Sequence, residues 1–298
     1  MNKQEIRVIL LTHGQCETVL ERLLAVERAA VVGVFIETDI VRRFSPRQAL
    51  RRSIKYEGYA ATLKNCARKL LGFGNTYDRH VHAAETSRNR LREMAATHNV
   101  PLHFVANFHT DDAIGLMRAA DPDLGVIYGT NIIKESAFSI PRLGSINLHQ
   151  GLAPFYRGGP PVFWELFNGE PEIGITVHFV DAKVDTGEIV LQETVPLVYD
   201  YAHKLDYDSF IAEFSDSIRE RSADLVAESV RFIAQGTAQP RSQDTTLGKR
   251  YRLPTKREKD ELRRRLKKRE PERPGTSGEC SFETPHREPR RTNEANCA

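Results

Sequence analysis

Residues 145–189 read SINLHQGLAPFYRGGPPVFWELFNGEPEIGITVHFVDAKVDTGEI, and this stretch decides the fold prediction. It opens with an apolar strand pattern that ends in Asn147 and His149, and Asp185 stands near its end, before a Thr-Gly turn. The loop that carries Arg157 is rich in Pro and Gly, which argues against a helix or a central strand there. Polar residues at strand ends are typical of ligand sites at the carboxyl edge of a parallel sheet.

The side chains of Asn147, His149 and Asp185 can together support acyl transfer. An amide can bind a developing oxyanion, an imidazole can donate or relay a proton, and a carboxylate can orient the imidazole or take up a proton. Each residue alone is better explained as a polar strand end or a turn residue. Their combination with the Pro- and Gly-rich loop favours a catalytic site.

Outward from this stretch, the chain alternates short apolar runs with helical patterns. The predicted strands are residues 7–11, 30–36, 102–105, 124–128 and 145–148. Residues 174–180 and 188–197 alternate in polarity and are predicted to be later, antiparallel strands. We therefore predict an α/β fold of Rossmann-like type, with a mostly parallel sheet and helices on both faces.

The predicted organisation has four parts. Residues 1–200 form a catalytic domain that contains a basic helical insertion at about 39–72. Residues 201–240 contribute one long closing helix, and residues 241–270 form a basic helical extension that begins at a Thr255–Glu258 capping box. Residues 271–298 have few apolar side chains, so we expect them to be disordered.

Composition limits the function classes. No apolar run approaches the roughly 18 residues needed to span a bilayer, and the first residues lack a secretory pattern, so a cytoplasmic location is expected. The four cysteines are scattered, which predicts free thiols and no metal site. Residues 249–273 carry a net charge of +8, whereas the whole chain carries +3. We interpret this basic run as a solvated helix face rather than a nucleic-acid contact.

Five motifs in order resemble the folate-dependent formyltransferase family, which includes the glycinamide ribonucleotide, methionyl-tRNA and amino-sugar N-formyltransferases. The motifs are Asn147-x-His149, Arg157-Gly158, Asn168-Gly169-Glu170, Gly174-x-Thr-x-His178 and Asp185-x-Gly187. This chain departs from the family at Gly151, where members commonly have Ser. The resemblance implies a formyltransferase-type fold and a one-carbon transferase that uses 10-formyltetrahydrofolate as its formyl donor.

The resemblance also implies roles for individual residues. The expected catalytic residues are Asn147, His149 and Asp185. The residues expected to bind the folate donor are Tyr128, Gly129, Thr130, Ile132 and Asp181. The residues expected to bind the acceptor are Gly151, Tyr156, Arg157 and His178. No metal is required by this scheme.

The acceptor is predicted by elimination to be the primary amine of an amino sugar nucleotide or a similar small molecule. Residues 12–15 lack the Gly- and Ser-containing phosphate loop of the glycinamide branch, and the mostly polar residues after Gly236 leave no room for the β-barrel of the methionyl-tRNA branch. The alternatives are a 10-formyltetrahydrofolate hydrolase, a methionyl-tRNA formyltransferase-like enzyme, and a non-catalytic nucleic-acid- or membrane-binding protein. Nucleic acid is a disfavoured partner, and a homodimer is compatible with the sequence.

Overall fold

A computed structural model describes residues 5–39, 45–70, 77–199 and 207–269. Its strands are β1 (Ile6–Thr12), β2 (Ala29–Glu37), β3 (Leu102–Val105), β4 (Leu124–Tyr128), β5 (Ser145–His149), β6 (Tyr156–Arg157), β7 (Glu172–Phe179), β8 (Ile189–Pro196) and β9 (Lys249–Arg250). Its helices are α1 (Glu17–Leu24), α2 (Pro46–Glu57), α3 (Tyr59–Leu70), α4 (Tyr77–Thr97), α5 (Asp111–Ala119), α6 (Glu135–Phe138), α7 (Phe163–Asn168), α8 (Tyr207–Ser217), α9 (Arg219–Gln235) and α10 (Lys256–Arg269).

The central sheet has seven strands in the order β3-β2-β1-β4-β5-β7-β8. The first five of these pair in parallel, whereas β7 runs antiparallel to both β5 and β8. The predicted α/β class with a mostly parallel sheet is therefore confirmed. The chain order reverses between β1 and β4, and α/β sheets bind ligands at the carboxyl ends of strands beside such a reversal.

Strand β1 explains why helices cover both faces of the sheet. Val8 and Leu10 belong to one buried cluster, and Ile9 and Leu11 belong to another. Successive strand side chains point to opposite faces, so an uninterrupted apolar strand requires cover on both sides. Helices α1 and α9 contribute to the first cluster, and α5 and α6 contribute to the second. The predicted two-sided helical cover is thus confirmed.

The prediction of one long helix over residues 207–235 is wrong. The structure has two helices, α8 and α9, which are separated at Ile218, where ψ is 1° rather than helical. The Ser217 hydroxyl donates to the carbonyl of Phe214 at 2.7 Å, close to this break. Such short hydroxyl side chains compete with the main chain for helical hydrogen bonds.

The two basic segments of the sequence lie together in the fold. Helices α2 and α3 fall within the predicted insertion, and α10 begins at the Thr255–Glu258 capping box, in which each residue bonds the other. Helix α10 buries Leu262 and Leu266, and its Lys256 side chain lies against Gly58 between α2 and α3. The segment 271–298, predicted to be disordered, lies outside the described residues. Among the described helices, none is long and apolar enough to cross a membrane.

Candidate active site

Asn147 and His178 are paired by strand register. They stand directly opposite each other in the antiparallel pairing of β5 and β7. Opposed residues on neighbouring strands project to the same face, which brings their side chains together. The Asn147 Nδ2 lies 3.3 Å from His178 Nε2, and His178 Nδ1 lies 2.7 Å from the carbonyl oxygen of Phe179. A carbonyl only accepts, so Nδ1 carries a proton, and Nε2 faces the amide nitrogen of Asn147.

His149, the last residue of β5, is held at both ring nitrogens. Its Nε2 donates to the Tyr156 carbonyl oxygen at 2.6 Å, and its Nδ1 lies 3.5 Å from Asp185 Oδ2. Gly151 makes this arrangement possible, since a side-chain carbon at that position would collide with the His149 ring and lie 2.6 Å from the Tyr156 oxygen. The absence of the family's Ser therefore has a steric reason in this chain.

Asp185 lies between the two histidines. Its Oδ1 is 3.4 Å from His178 Nε2, and its Oδ2 accepts the main-chain N–H of Gly158 at 2.8 Å. Burial alone would raise the pKa of this carboxyl, but the His178 contact, the charge of His149 and the Gly158 amide together hold the pKa well below its usual range. Asp185 is therefore a fixed negative charge at neutral pH. A side chain at Gly187, two residues on, would collide with the Phe179 carbonyl, so the turn at Asp185 requires glycine.

A first cavity of about 290 Å³ opens over these residues. Asn147, His149, His178 and Asp185 are among the residues that line it. The lining also includes four of the residues that we predicted to bind the donor: Gly129, Thr130, Ile132 and Asp181. Asp181 itself accepts hydrogen bonds from the Lys183 N–H and the Thr186 hydroxyl, which shapes the turn that carries Asp185.

A second cavity, of about 590 Å³, shares Gly129, Leu148 and His149 with the first. Tyr128, which we predicted to contact the donor, lines this second cavity instead. Other polar residues here come from distant parts of the chain: His13, Gln15, Ser87, Arg88, Gln150, Ser215 and Arg219. Of these residues, only His13 could be suspected from sequence, because it lies just after a predicted strand. No local sequence pattern marks Arg88 or Arg219 as a site residue, because single arginines on helices are ordinary surface residues.

Two predicted acceptor-binding residues point elsewhere. Arg157 is 9% exposed and lines neither cavity; it donates to the carbonyls of Pro154 and Thr245. The Tyr156 ring stacks on Tyr251, and its hydroxyl donates to Glu170 at 2.8 Å. In this structure, the guanidinium therefore holds the loop together, and Tyr156 reaches the site only through its main-chain oxygen.

Comparison with known proteins agrees with this geometry. Residues 81–218 match the family model described as Formyl transferase. A methionyl-tRNA formyltransferase of Azobacteroides pseudotrichonymphae is 34% identical over 160 residues, which are 53% of this chain and 47% of that protein. One from a Cyanothece species is 38% identical over 159 residues, 52% of this chain and 45% of that protein. The aligned region thus spans about half the length of these relatives.

A solved structure supports the fold alone. The phosphoribosylglycinamide formyltransferase of Anaplasma phagocytophilum superposes with a TM-score of 0.50 at 20% identity, covering 78% of this chain and 89% of that one. The motifs, the sheet topology and the sequence matches agree with one another. Residues 81–218 are thus similar to the formyltransferase family, in agreement with the motifs of residues 145–189.

Proposed function

We propose that this protein transfers a formyl group from 10-formyltetrahydrofolate to a primary amine. The observation that supports the proposal most directly is that Asn147, His149 and Asp185 line the same cavity as residues 129–132. An amide donor, an imidazole and a fixed carboxylate side by side are the groups that acyl transfer to an amine requires.

The first cavity suits the folate donor. The main-chain N–H groups of Thr130 and Ile132 donate to no other group in the part of the chain that the structure describes. Free main-chain donors beside the apolar side chains of Ile132 and Ile133 match a flat heterocycle with a polar edge. When bound, the donor supplies an activated formyl carbon; Gly129, Thr130, Ile132 and Asp181 would hold it.

Asn147 and His149 would stabilise the charge that develops on the formyl oxygen. One N–H of the Asn147 amide faces His178, which leaves the second N–H for the oxyanion. A protonated His149, paired with Asp185, would add a positive charge beside it. Removal of one oxyanion donor typically raises the activation free energy by about 2.7–4 kcal/mol.

As acceptor we favour an amine on a phosphate-bearing small molecule such as an amino sugar nucleotide. The second cavity has a volume within the roughly 300–1,000 Å³ that is usual for small-molecule sites. Its two guanidinium groups support an anionic acceptor: Arg88 makes no ion pair with any described residue, and Arg219 pairs with the exposed Asp216. Guanidinium forks are well suited to phosphate oxygens.

A second candidate acceptor is an amine carried by RNA, and a basic surface favours it. Residues 45–70 carry a net charge of +6, and α10 carries another +6. Helix α10 packs on α2, so these charges form one surface. Clustered Lys and Arg are the usual electrostatic footprint of nucleic-acid binding. Within α10, however, several cations are neutralised by ion pairs, including Lys256 with Asp260 and Arg265 with Glu261.

The test is a screen of amines with 10-formyltetrahydrofolate, read by mass for the gain of one formyl group. Nucleotide sugars with a 3-amino or 4-amino group come first, and methionyl-tRNA is run in parallel. An Asn147→Ala variant is the negative control. Formyl gain on the sugar nucleotides supports the first acceptor. If only the tRNA is formylated, and this activity is lost when the salt concentration is raised, the RNA-borne amine is the acceptor. Release of formate without any formylated amine would replace both with a hydrolase.

A further inference from the structure

A second carboxylate–histidine pair lies at the carboxyl edge of the sheet, apart from His149 and Asp185. His13 follows β1, Glu37 ends β2, and His13 Nε2 lies 2.7 Å from Glu37 Oε2. The Glu37 side chain is only 4% exposed, and its other oxygen accepts the N–H of Phe108 at 3.3 Å. The imidazole also stacks on Phe108, with an angle of 8° between the rings.

Glu37 fixes which nitrogen of His13 is free. A buried carboxylate at 2.7 Å from Nε2 accepts the Nε2 proton, so the neutral ring keeps its lone pair at Nδ1. The main-chain N–H of Asn131 also approaches Nε2, but its 3.4 Å distance is much longer than the 2.7 Å to Glu37. Among the described residues, no group donates to or accepts from Nδ1. The ring lines the second cavity together with His149. A base held in one orientation by a carboxylate, with its other nitrogen free, is the usual form of a proton-accepting histidine.

The other titratable groups at this edge are less suited to accept a proton. Both nitrogens of His149 are occupied, by the Tyr156 carbonyl and by Asp185. Asp185 is held ionised by its neighbours, and a carboxylate whose pKa lies below the usual range is a weak base. Among the described residues that line the second cavity, none is a carboxylate. Among the described residues that line this cavity, Nδ1 of His13 is therefore the one imidazole nitrogen without a hydrogen-bond partner. It can accept a proton from an incoming ammonium group.

We propose that His13 is the acceptor-side base of the reaction and that Glu37 is its positioning residue. This inference rests on the proposed function. The acceptor enters as R–NH₃⁺, one N–H bond breaks, and its proton bonds to His13 Nδ1. The products of this step are the neutral amine, whose lone pair can attack a carbonyl carbon, and an imidazolium stabilised by Glu37. The imidazolium then releases its proton to solvent through the open cavity.

The surroundings of His13 bear on its pH dependence. The charged and titratable groups around it are Glu37 on β2, Arg88 on α4, His149 on β5, Arg219 on α9, and His109 beyond Glu37. The arginines keep their charge throughout the accessible pH range.

The experiment measures kcat/KM for a nucleotide 4-amino sugar from pH 6 to 9.5 in wild-type protein and in His13→Gln. Glutamine can still donate to Glu37 but cannot take up a proton. We expect a loss of about a hundredfold at pH 7, the usual scale for a lost base, with the deficit shrinking as the pH approaches the pKa of the amine. Added imidazole should restore part of the rate. His98→Gln makes the same change at an exposed position and should be neutral.

Two further measurements separate this role from a structural one. The melting temperature and the folate affinity of His13→Gln should match wild type, and Glu37→Gln should lower kcat/KM less than His13→Gln does. A His13→Gln deficit that is constant with pH and insensitive to imidazole would overturn the base role, as would unchanged kcat/KM at pH 7. If the wild-type protein formylates no amine at all, the proposed function is wrong, and the role of His13 as a base in that reaction is then also wrong.

Discussion

Asn147 and His178 face each other across β5 and β7, with 3.3 Å between the amide nitrogen and Nε2. The same His178 nitrogen lies 3.4 Å from Asp185. His178 thus touches both the amide and the carboxylate of the site while being almost fully buried. Its position indicates that it orients these two groups, and the strand register, rather than a loop, sets their geometry.

Replacing Asn147 by Ala should remove the donor proposed for the oxyanion. We expect kcat to fall by about a hundredfold or more, because one such donor is usually worth about 2.7–4 kcal/mol. The measurement is steady-state formyl transfer, with the melting temperature recorded alongside. Asn89→Ala, on the exposed surface of α4, is the matched control. If Asn147→Ala turns over at nearly the wild-type rate, Asn147 does not stabilise the oxyanion.

Replacing Asp185 by Asn should keep the shape of the site and remove its charge. The amide oxygen can still accept from Gly158, but neither His149 nor His178 would then face a carboxylate. We expect turnover to fall by about two orders of magnitude across neutral pH, while folate binding persists. Lost folate affinity with normal turnover at saturation would make Asp185 a binding residue instead.

Introducing the family's Ser at Gly151 should damage the site. Its Cβ would collide with His149 and crowd the Tyr156 carbonyl oxygen, so the imidazole must move. We expect a destabilisation of about 1–3 kcal/mol, typical of overpacking, and at least a tenfold loss of turnover. Unfolding and activity are measured on the same preparation. Gly115→Ser on α5, where an added Cβ meets nothing within 4 Å, is the control. A fully active, stable Gly151→Ser would contradict the steric account.

Glu165 on α7 should make stability depend on pH. Burial is the main reason that its pKa is raised to about 7, while its own main-chain N–H opposes the shift and Glu170 adds to it. The unfolded carboxyl ionises near pH 4.5, so the folded state binds more protons between pH 4.5 and 7. The stability contributed by this group is therefore lost as pH rises through that window.

Glu165→Gln should remove this dependence. We expect the variant to match wild type near pH 4.5 and to exceed it by roughly 1–3 kcal/mol at pH 8. Urea unfolding at the two pH values is the measurement. Glu27→Gln, the same change at an exposed residue, is the control. Equal stability differences at both pH values would show that Glu165 ionises normally.

Local patterns in the sequence were sufficient for much of this protein. The unbroken apolar run of β1 required a sheet covered on both faces, and the alternating runs after Gly174 marked the antiparallel strands. The capping box at Thr255 and Glu258 marked the start of α10. The motifs of residues 145–189 revealed the resemblance to the formyltransferases, because the residues that carry it lie within a few tens of positions of one another.

Only the tertiary structure decided the rest, because it depends on contacts between residues far apart in the chain. The break at Ile218 divides a helix that the apolar pattern made continuous. Arg157 donates hydrogen bonds to the carbonyls of Pro154 in its own loop and of Thr245. No sequence motif indicates these partners. The second cavity joins His13, Arg88 and Arg219 to His149, from four separate segments. Hydrophobic periodicity fixes which face of a strand or helix is buried, but the partners of a polar side chain are fixed by packing alone.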